Sequence, residues 1–252
     1  MSTISIKNLS FAYEHNKNVL EDLSLEIKEN TINAILGANG GGKSTLLDCL
    51  VGINKPNSGS IYIKEKEIGE YTNKEFAREV AYISQNTIIN IDYSVREFIL
   101  FGRNPYLGLG QSPTEKDYKK ADLYASRIGI EHLLNKTITK ISGGERQLAF
   151  ICRALVQESN IFIFDEPLSA LDFGNQNKLL MIFKELQNEG KTIIFTTHNP
   201  NQVLDLNCNV IVLNNKKVVA EGLANDVIVK ELLESIYNGK VSMSSKHYIF
   251  SE

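Results

Sequence analysis

The chain has 252 residues, 42% of them hydrophobic, and its 27 basic against 30 acidic residues leave a formal charge of −3. That suffices for a buried core near the upper size of one domain, while the balanced charge excludes the basic field that nucleic-acid binding uses. No apolar run approaches the roughly 20 residues of a spanning helix, and the opening MSTISIKNLS lacks the charged-then-apolar layout of a signal peptide.

In chain order, ISIKNLSFAY and LSLEI alternate apolar and polar residues as half-buried strands do. Ile32–Leu36 is an apolar strand that runs into a glycine-rich turn, and residues 44–51 have a helical pattern. SIYIKEKEI and residues 80–84 are further strands. Over 92–135 apolar residues recur at helical spacing, at Val95, Phe98 and Ile99 and then at Leu123, Ile128 and Leu133. A Gly/Pro-rich elbow, GRNPYLGLGQSP, interrupts them. This predicts an inserted helical subdomain over approximately 86–135. IFIF, TIIFTT and VIVL are short continuous apolar strands separated by helical stretches, the pattern of a mostly parallel sheet covered on both faces. VIVLNNKKVVAEG reads as a hairpin turning at Asn214-Asn215. Within 225–239, Val227, Ile228, Leu232, Leu233 and Ile236 mark one amphipathic helix, so a domain over 1–225 is expected to be followed by a helical tail over 226–252. Cys49, Cys152 and Cys208 are odd in number and lack metal-ligand spacing, which predicts buried, reduced thiols of an intracellular protein.

The chemistry concentrates in two motifs. Gly37-Ala38-Asn39-Gly40-Gly41-Gly42-Lys43-Ser44 fits G-x-x-x-x-G-K-[ST] between a strand and a helix. Glycines there let backbone N–H groups converge on phosphate oxygens, and the helix start adds the positive end of its dipole. Lys43 can reach the β- and γ-phosphates of a nucleotide, and the Ser44 hydroxyl can ligate Mg²⁺. Thr45, next on the helix, belongs to the same candidate site. The second motif, IFIFDEP, ends an apolar strand in Asp165, placed to hold Mg²⁺, and Glu166, placed to polarise a water attacking the γ-phosphate.

A third string, ISGGERQ, precedes that strand and resembles the LSGGQ signature of ATP-binding cassette (ABC) proteins. With the other two in order, the chain resembles the ABC transporter ATP-binding subunit over residues 1–225. The resemblance implies an α/β P-loop ATPase fold. Its parts are a mostly parallel core sheet, an N-terminal antiparallel β subdomain and an inserted α-helical subdomain. It implies ATP and Mg²⁺ as ligands. It also assigns roles by position. Tyr13 matches the aromatic residue that stacks on adenine. Gln85 matches the glutamine that contacts Mg²⁺ or water and begins the helical insertion. Ser142, Gly143 and Gly144 match the residues that grip the γ-phosphate across a dimer interface. SALD at 169–172 matches the loop after the carboxylate pair, and His198 matches the switch histidine. The phosphate-site set is then Gly37, Asn39, Gly40, Gly42, Lys43, Ser44 and Thr45. His15, His132 and His247 have no such context and are expected on the surface. Glu145 replaces the usual Gln, and Asn30 stands where a glycine often precedes the first core strand, with a positive φ expected.

Implied partners are a second copy of the chain in an ATP-dependent head-to-tail dimer, separate permease subunits, and indirectly a substrate-binding protein, with no nucleic acid. The implied location is the cytoplasmic face of the membrane. SVREFILFGRNPYLG, with Arg103 and Pro105, and SPTEKD after it are similar to the ATPases of iron–siderophore, haem and cobalamin importers. The alternatives are another importer or exporter ATPase, or a soluble non-transport ABC ATPase.

Overall fold

A computed structural model describes residues 2–14, 17–85, 90, 92–237, 239–244 and 247–251. His15 and the first residues of the expected insertion, 86–89, lie outside the described residues. In chain order the elements are β1 (Ser2–Ala12), β2 (Asn18–Lys28), β3 (Ile32–Leu36), α1 (Lys43–Leu50), β4 (Ser58–Ile63), β5 (Lys66–Glu67), α2 (Asn73–Glu79), β6 (Val80–Ile83), α3 (Val95–Leu100), α4 (Glu115–Ile128), α5 (Gly143–Val156), β7 (Ile161–Phe164), α6 (Phe173–Asn188), β8 (Thr192–Thr197), α7 (Pro200–Leu206), β9 (Asn209–Asn214), β10 (Lys217–Leu223), α8 (Ala224–Val227), α9 (Lys230–Tyr237), β11 (Lys240–Ser244) and β12 (His247–Ser251). The chain divides into two compact units, Met1–Glu70 with Leu186–Glu252, and Tyr71–Glu185.

The first unit holds an antiparallel sheet in the order β2-β1-β4-β5 and a run of core strands in the order β10-β9-β3-β8. β2 shows why the former is one-sided: Leu20, Leu23, Leu25 and Ile27 are buried while the residues between them are not. In β3 and β8 every residue is buried, as befits strands covered on both faces. β3 runs parallel to β8 and to β9, and β10 closes on β9 antiparallel. The one amide in β3, Asn33, is buried but bonded: its Nδ2 donates to Thr31 Oγ1 at 2.8 Å. Asn30 has φ 59, as expected of a left-handed turn residue before β3.

The second unit pairs β6 with β7 in parallel and surrounds them with helices. Described residues 92–135 contain helices and 3-10 turns and no strand. Four helices start on the same device: Thr72/Glu75, Ser94/Glu97, Thr114/Asp117 and Ser142/Glu145 form reciprocal capping boxes.

Leu123 lies on a helix, as its spacing predicts, but is exposed, and α4 buries Asp117, Ala121, Ala125 and Ile128. That stripe repeats at four, four and three residues, and its alanines let α4 lie against α5, whereas Leu123 falls on the opposite side. The β9–β10 hairpin turns at Asn215-Lys216, both at positive φ, one residue later than read, with Asn214 opposite Lys217. The tail is not one helix. Ile228 leaves helical conformation at ψ 92, α9 restarts at Lys230, and β11 and β12 form an antiparallel hairpin. Residues 240–244 alternate polar and apolar types and 248–250 are the β-favouring run Tyr-Ile-Phe, which suits strands better than a helix. Cys49, Cys152 and Cys208 are free and buried, as expected.

Candidate functional site

Parallel register places the site residues. In the first unit Leu36 pairs with Thr197, so the loop after β3 and His198 after β8 leave from the same carboxyl edge. In the second unit Ile83 pairs with Phe164, so Gln85 and the Asp165-Glu166 pair leave together from the carboxyl edge of β6 and β7. Ligands of open α/β sheets bind at such edges.

The phosphate loop is built from backbone. A Cβ on Gly37 would stand 2.4 Å from the Leu213 carbonyl oxygen, so only glycine fits. Gly40 and Gly42 have φ 76 and 92. Gly42 is the N-cap of α1 and offers no side chain to the first-turn N–H groups, which leaves these donors for an anion. Asn39 and Gly40 are exposed at the loop tip. Lys43 is buried and its Nζ donates to the carbonyls of Gly37 at 2.9 Å and Ala38 at 3.1 Å, so the loop's own carbonyls hold the ammonium beneath it. Ser44 is exposed, its hydroxyl accessible at the helix start. Thr45 is buried and its hydroxyl lies 3.2 Å from the Tyr13 hydroxyl. Tyr13 also accepts from Asn54 Nδ2 at 3.4 Å and meets Phe11 edge-on, yet is 63% exposed. Its ring is therefore tied to the phosphate-loop helix with surface to spare for a flat ligand. His198 is exposed, and its backbone carbonyl accepts from Tyr237 Oη at 2.7 Å.

In the second unit Asp165 is 2% exposed and Glu166 is half-buried. Glu166 sits at φ 46, a left-handed conformation costly for a non-glycine residue and typical of functional positions. Ser169 ties that turn down, donating from its N–H and hydroxyl to the Glu166 carbonyl. The Glu166 carboxylate accepts from Gln85 Nε2 at 3.3 Å, which brings together two residues 81 positions apart in the sequence. The signature helix α5 is N-capped by Ser142, with exposed Gly143 behind it. A Cβ on Gly144 would press within 3.2 Å of the Ala170 carbonyl. Glu145, the departure from Gln, accepts from the Ser142 backbone N–H at 2.8 Å, and the two bonds with Ser142 hold its carboxyl below the usual range. Gln147 Nε2 reaches the Pro167 carbonyl at 3.4 Å, linking α5 to the segment after Glu166.

Arg103 and the run ending in Asp117 stand out in the sequence only by resemblance, and their pairing is not visible there. Arg103 is buried, and its Nε donates to Asp117 Oδ1 at 2.9 Å. Its Nη1 donates to the Val156 carbonyl at 2.9 Å and to Glu158 Oε2 at 3.0 Å. Its guanidinium lies 4.1 Å from the Tyr106 ring centre, and Lys120 also pairs with Glu158. Burial alone would raise the Asp117 carboxyl, but hydrogen bonds from Thr114 and Arg103, with the guanidinium charge, hold it down to about 2. GR.P is thus an internal brace of the helical unit. The buried positions of α4, read as i, i+4, would have exposed an Asp in an apolar stripe and asked for its partner.

Among the described residues no His/Cys/Asp/Glu cluster could hold a metal alone, and no helix is long and apolar enough to cross a membrane. The ABC transporter family matches residues 20–169. The chain is 34% identical to the petrobactin import ATP-binding protein YclP of Bacillus subtilis, over 93% of this chain and 92% of that one. It is 33% identical to the molybdate import ATP-binding protein MolC of Haemophilus influenzae, over 93% and 88%. Its fold superposes with TM-score 0.84 and 29% identity on a chain of an ABC transporter described as of metal-chelate type, in an inward-facing conformation, over 100% of this chain and 98% of that one.

Proposed function

The chain belongs to the ABC transporter family as an ATP-binding subunit, an ATPase coupled to transport, and from that premise we propose that it powers an importer of metal chelates of the iron–siderophore, haem or cobalamin kind. In this reading two copies meet head to tail and each ATP lies between the phosphate loop of one and Ser142, Gly143 and Gly144 of the other. Tyr13 stacks on the adenine. The N–H groups of the loop take the phosphates, and Lys43 exchanges its carbonyl partners for β- and γ-oxygens. Ser44, Asp165 and Gln85 are the oxygen-bearing side chains that would hold Mg²⁺, a hard cation suited to oxygen donors, which would neutralise charge developing on the phosphoryl group. Glu166 accepts a proton from the attacking water, and His198 contacts the γ-phosphate.

The observation that carries this reading is the Gln85–Glu166 hydrogen bond beside buried Asp165. It supports a carboxylate oriented for water activation and coupled to the residue from which the helical insertion departs. Petrobactin is a cargo named for one relative and molybdate for another. The chelate reading is favoured by the SVREFILFGRNPYLG stretch. The subunit would sit on the cytoplasmic face of the membrane against its permease, served by a substrate-binding protein.

The test is affinity purification of the tagged chain from solubilised membranes of its source cell, followed by chelate uptake in a deletion strain. A polytopic permease that co-purifies, with chelate uptake lost in the deletion, is expected. Robust ATP hydrolysis with no membrane protein recovered would overturn the importer reading in favour of a soluble ABC ATPase.

A further inference from the structure

The tail after β10 makes polar contacts on both sides of the His198-Asn199 step. Upstream, Tyr237 Oη donates to the His198 carbonyl at 2.7 Å. Tyr237 is fixed by α9, whose Leu233 and Ile236 are buried. Downstream, α7 starts with Asn199 as N-cap and Pro200 in its first turn. The Asn201 side chain then grips the backbone of Tyr248, donating from Nδ2 to its carbonyl at 3.0 Å and accepting from its N–H at 2.9 Å. Asp205, one turn on, lies 2.8 Å from His247 Nε2. The Tyr248 hydroxyl closes the hairpin onto the Ile228 carbonyl at 3.1 Å.

We infer that Tyr237 is a positioning residue for His198: its hydroxyl fixes the carbonyl of the loop, and with it the direction in which the exposed imidazole points. The hairpin's hold on Asn201 and Asp205 anchors α7 along its length and keeps the following segment from compensating. A loop that leaves a buried strand and carries an exposed side chain retains rotational freedom about its own backbone. A neutral hydrogen bond to its carbonyl removes part of that freedom before substrate arrives. The inference rests on the proposed contact of His198 with the γ-phosphate.

The experiment compares Tyr237→Phe with Tyr248→Phe in the full-length chain. Each variant deletes one tail hydroxyl bonded to a backbone carbonyl, but only the first hydroxyl bonds the His198 loop. ATP turnover and fluorescent ADP binding are measured for both, with His198→Ala and the double variant His198→Ala/Tyr237→Phe alongside. We expect Tyr237→Phe to lower kcat about three- to tenfold with ADP affinity unchanged. Tyr248→Phe is expected to match wild type, and the double variant to be no slower than His198→Ala alone. Wild-type turnover in Tyr237→Phe with a slow His198→Ala overturns the positioning role and leaves the proposed function standing. An equal further loss in the His198→Ala background also overturns it, because the tyrosine would then act on stability or elsewhere. Full turnover in His198→Ala overturns the role of His198 and the inference with it.

Discussion

Replacing Arg103 by methionine keeps the aliphatic stem and deletes the guanidinium that feeds Asp117, Val156 and Glu158. Asp117 is then left 7% exposed with only its Thr114 bonds, and the Val156 carbonyl loses its side-chain donor. Removing one partner of a buried pair costs about 3–5 kcal/mol, and the two bonds from Thr114 place this case at about 3 kcal/mol. The loss should depend on pH. Asp117 is held at about 2 in the fold, below the value near 3.9 of an unfolded chain. A carboxyl whose folded value is depressed stabilises the fold fully above its unfolded value, and the gain fades as pH falls through the folded value. At about 1.4 kcal/mol per tenfold, that difference of roughly two units is a gain of about 2–3 kcal/mol, present above about pH 4 and gone below about pH 2. Urea unfolding of wild type and Arg103→Met at pH 7 and pH 3, with hydrogen exchange of α4 and α5 amides to locate the weakened unit, reads both terms. We expect a gap of about 3 kcal/mol at pH 7 that narrows at pH 3. A gap below about 1 kcal/mol, or one equal at both pH values, would refute the brace.

Gly102 lies in the same brace. A Cβ there would stand 2.2 Å from the Arg153 carbonyl oxygen and 3.3 Å from the Gln157 nitrogen, both backbone. Gly102→Ala should therefore cost about 2–3 kcal/mol and lower Tm by about 5–10 °C in a melting scan; an unchanged Tm would mean the contact relaxes freely. Burial, with the charge of Asp48, pushes the Cys49 thiol up to about 12, and burial raises Cys152 further. Both should resist a disulfide reagent at pH 8 in the native chain and react after denaturation; rapid native labelling of either would contradict their placement. Lys43→Ala, which removes the ammonium beneath the phosphate loop, should abolish nucleotide binding in an equilibrium fluorescence titration, and near-normal affinity would remove Lys43 from the site.

Much of the fold was legible because its strands are unambiguous. IFIF and VIVL are continuous apolar runs, and strands of that kind are buried on both faces. The phosphate loop was legible for a different reason: its glycines answer steric demands of the backbone, as the Leu213 carbonyl beside Gly37 shows. The four capping boxes were also there to be read, as T-x-x-E, S-x-x-E, T-x-x-D and S-x-x-E. Glu145 belongs to one of them, which explains a carboxylate in the signature as a helix-start device. Less legible was anything that depends on long-range pairing. The Arg103–Asp117 bond spans only 14 positions, but its reach to Glu158 spans 55. The buried face of α4 was not legible because a leucine such as Leu123 outweighs an alanine in any periodicity count, whereas close helix packing favoured Ala121 and Ala125. The terminal hairpin was hidden because a short strand with a polar alternation carries little signal until Asn201 binds its backbone.

The central claim is that two copies clasp ATP and that Glu166 activates the water. It is tested most directly by sedimentation of Glu166→Gln with and without ATP, with phosphate release followed in the same samples. The account predicts a monomer alone, a dimer with ATP, and phosphate release reduced at least about a hundredfold. A monomer at saturating ATP, or turnover close to wild type, would contradict it.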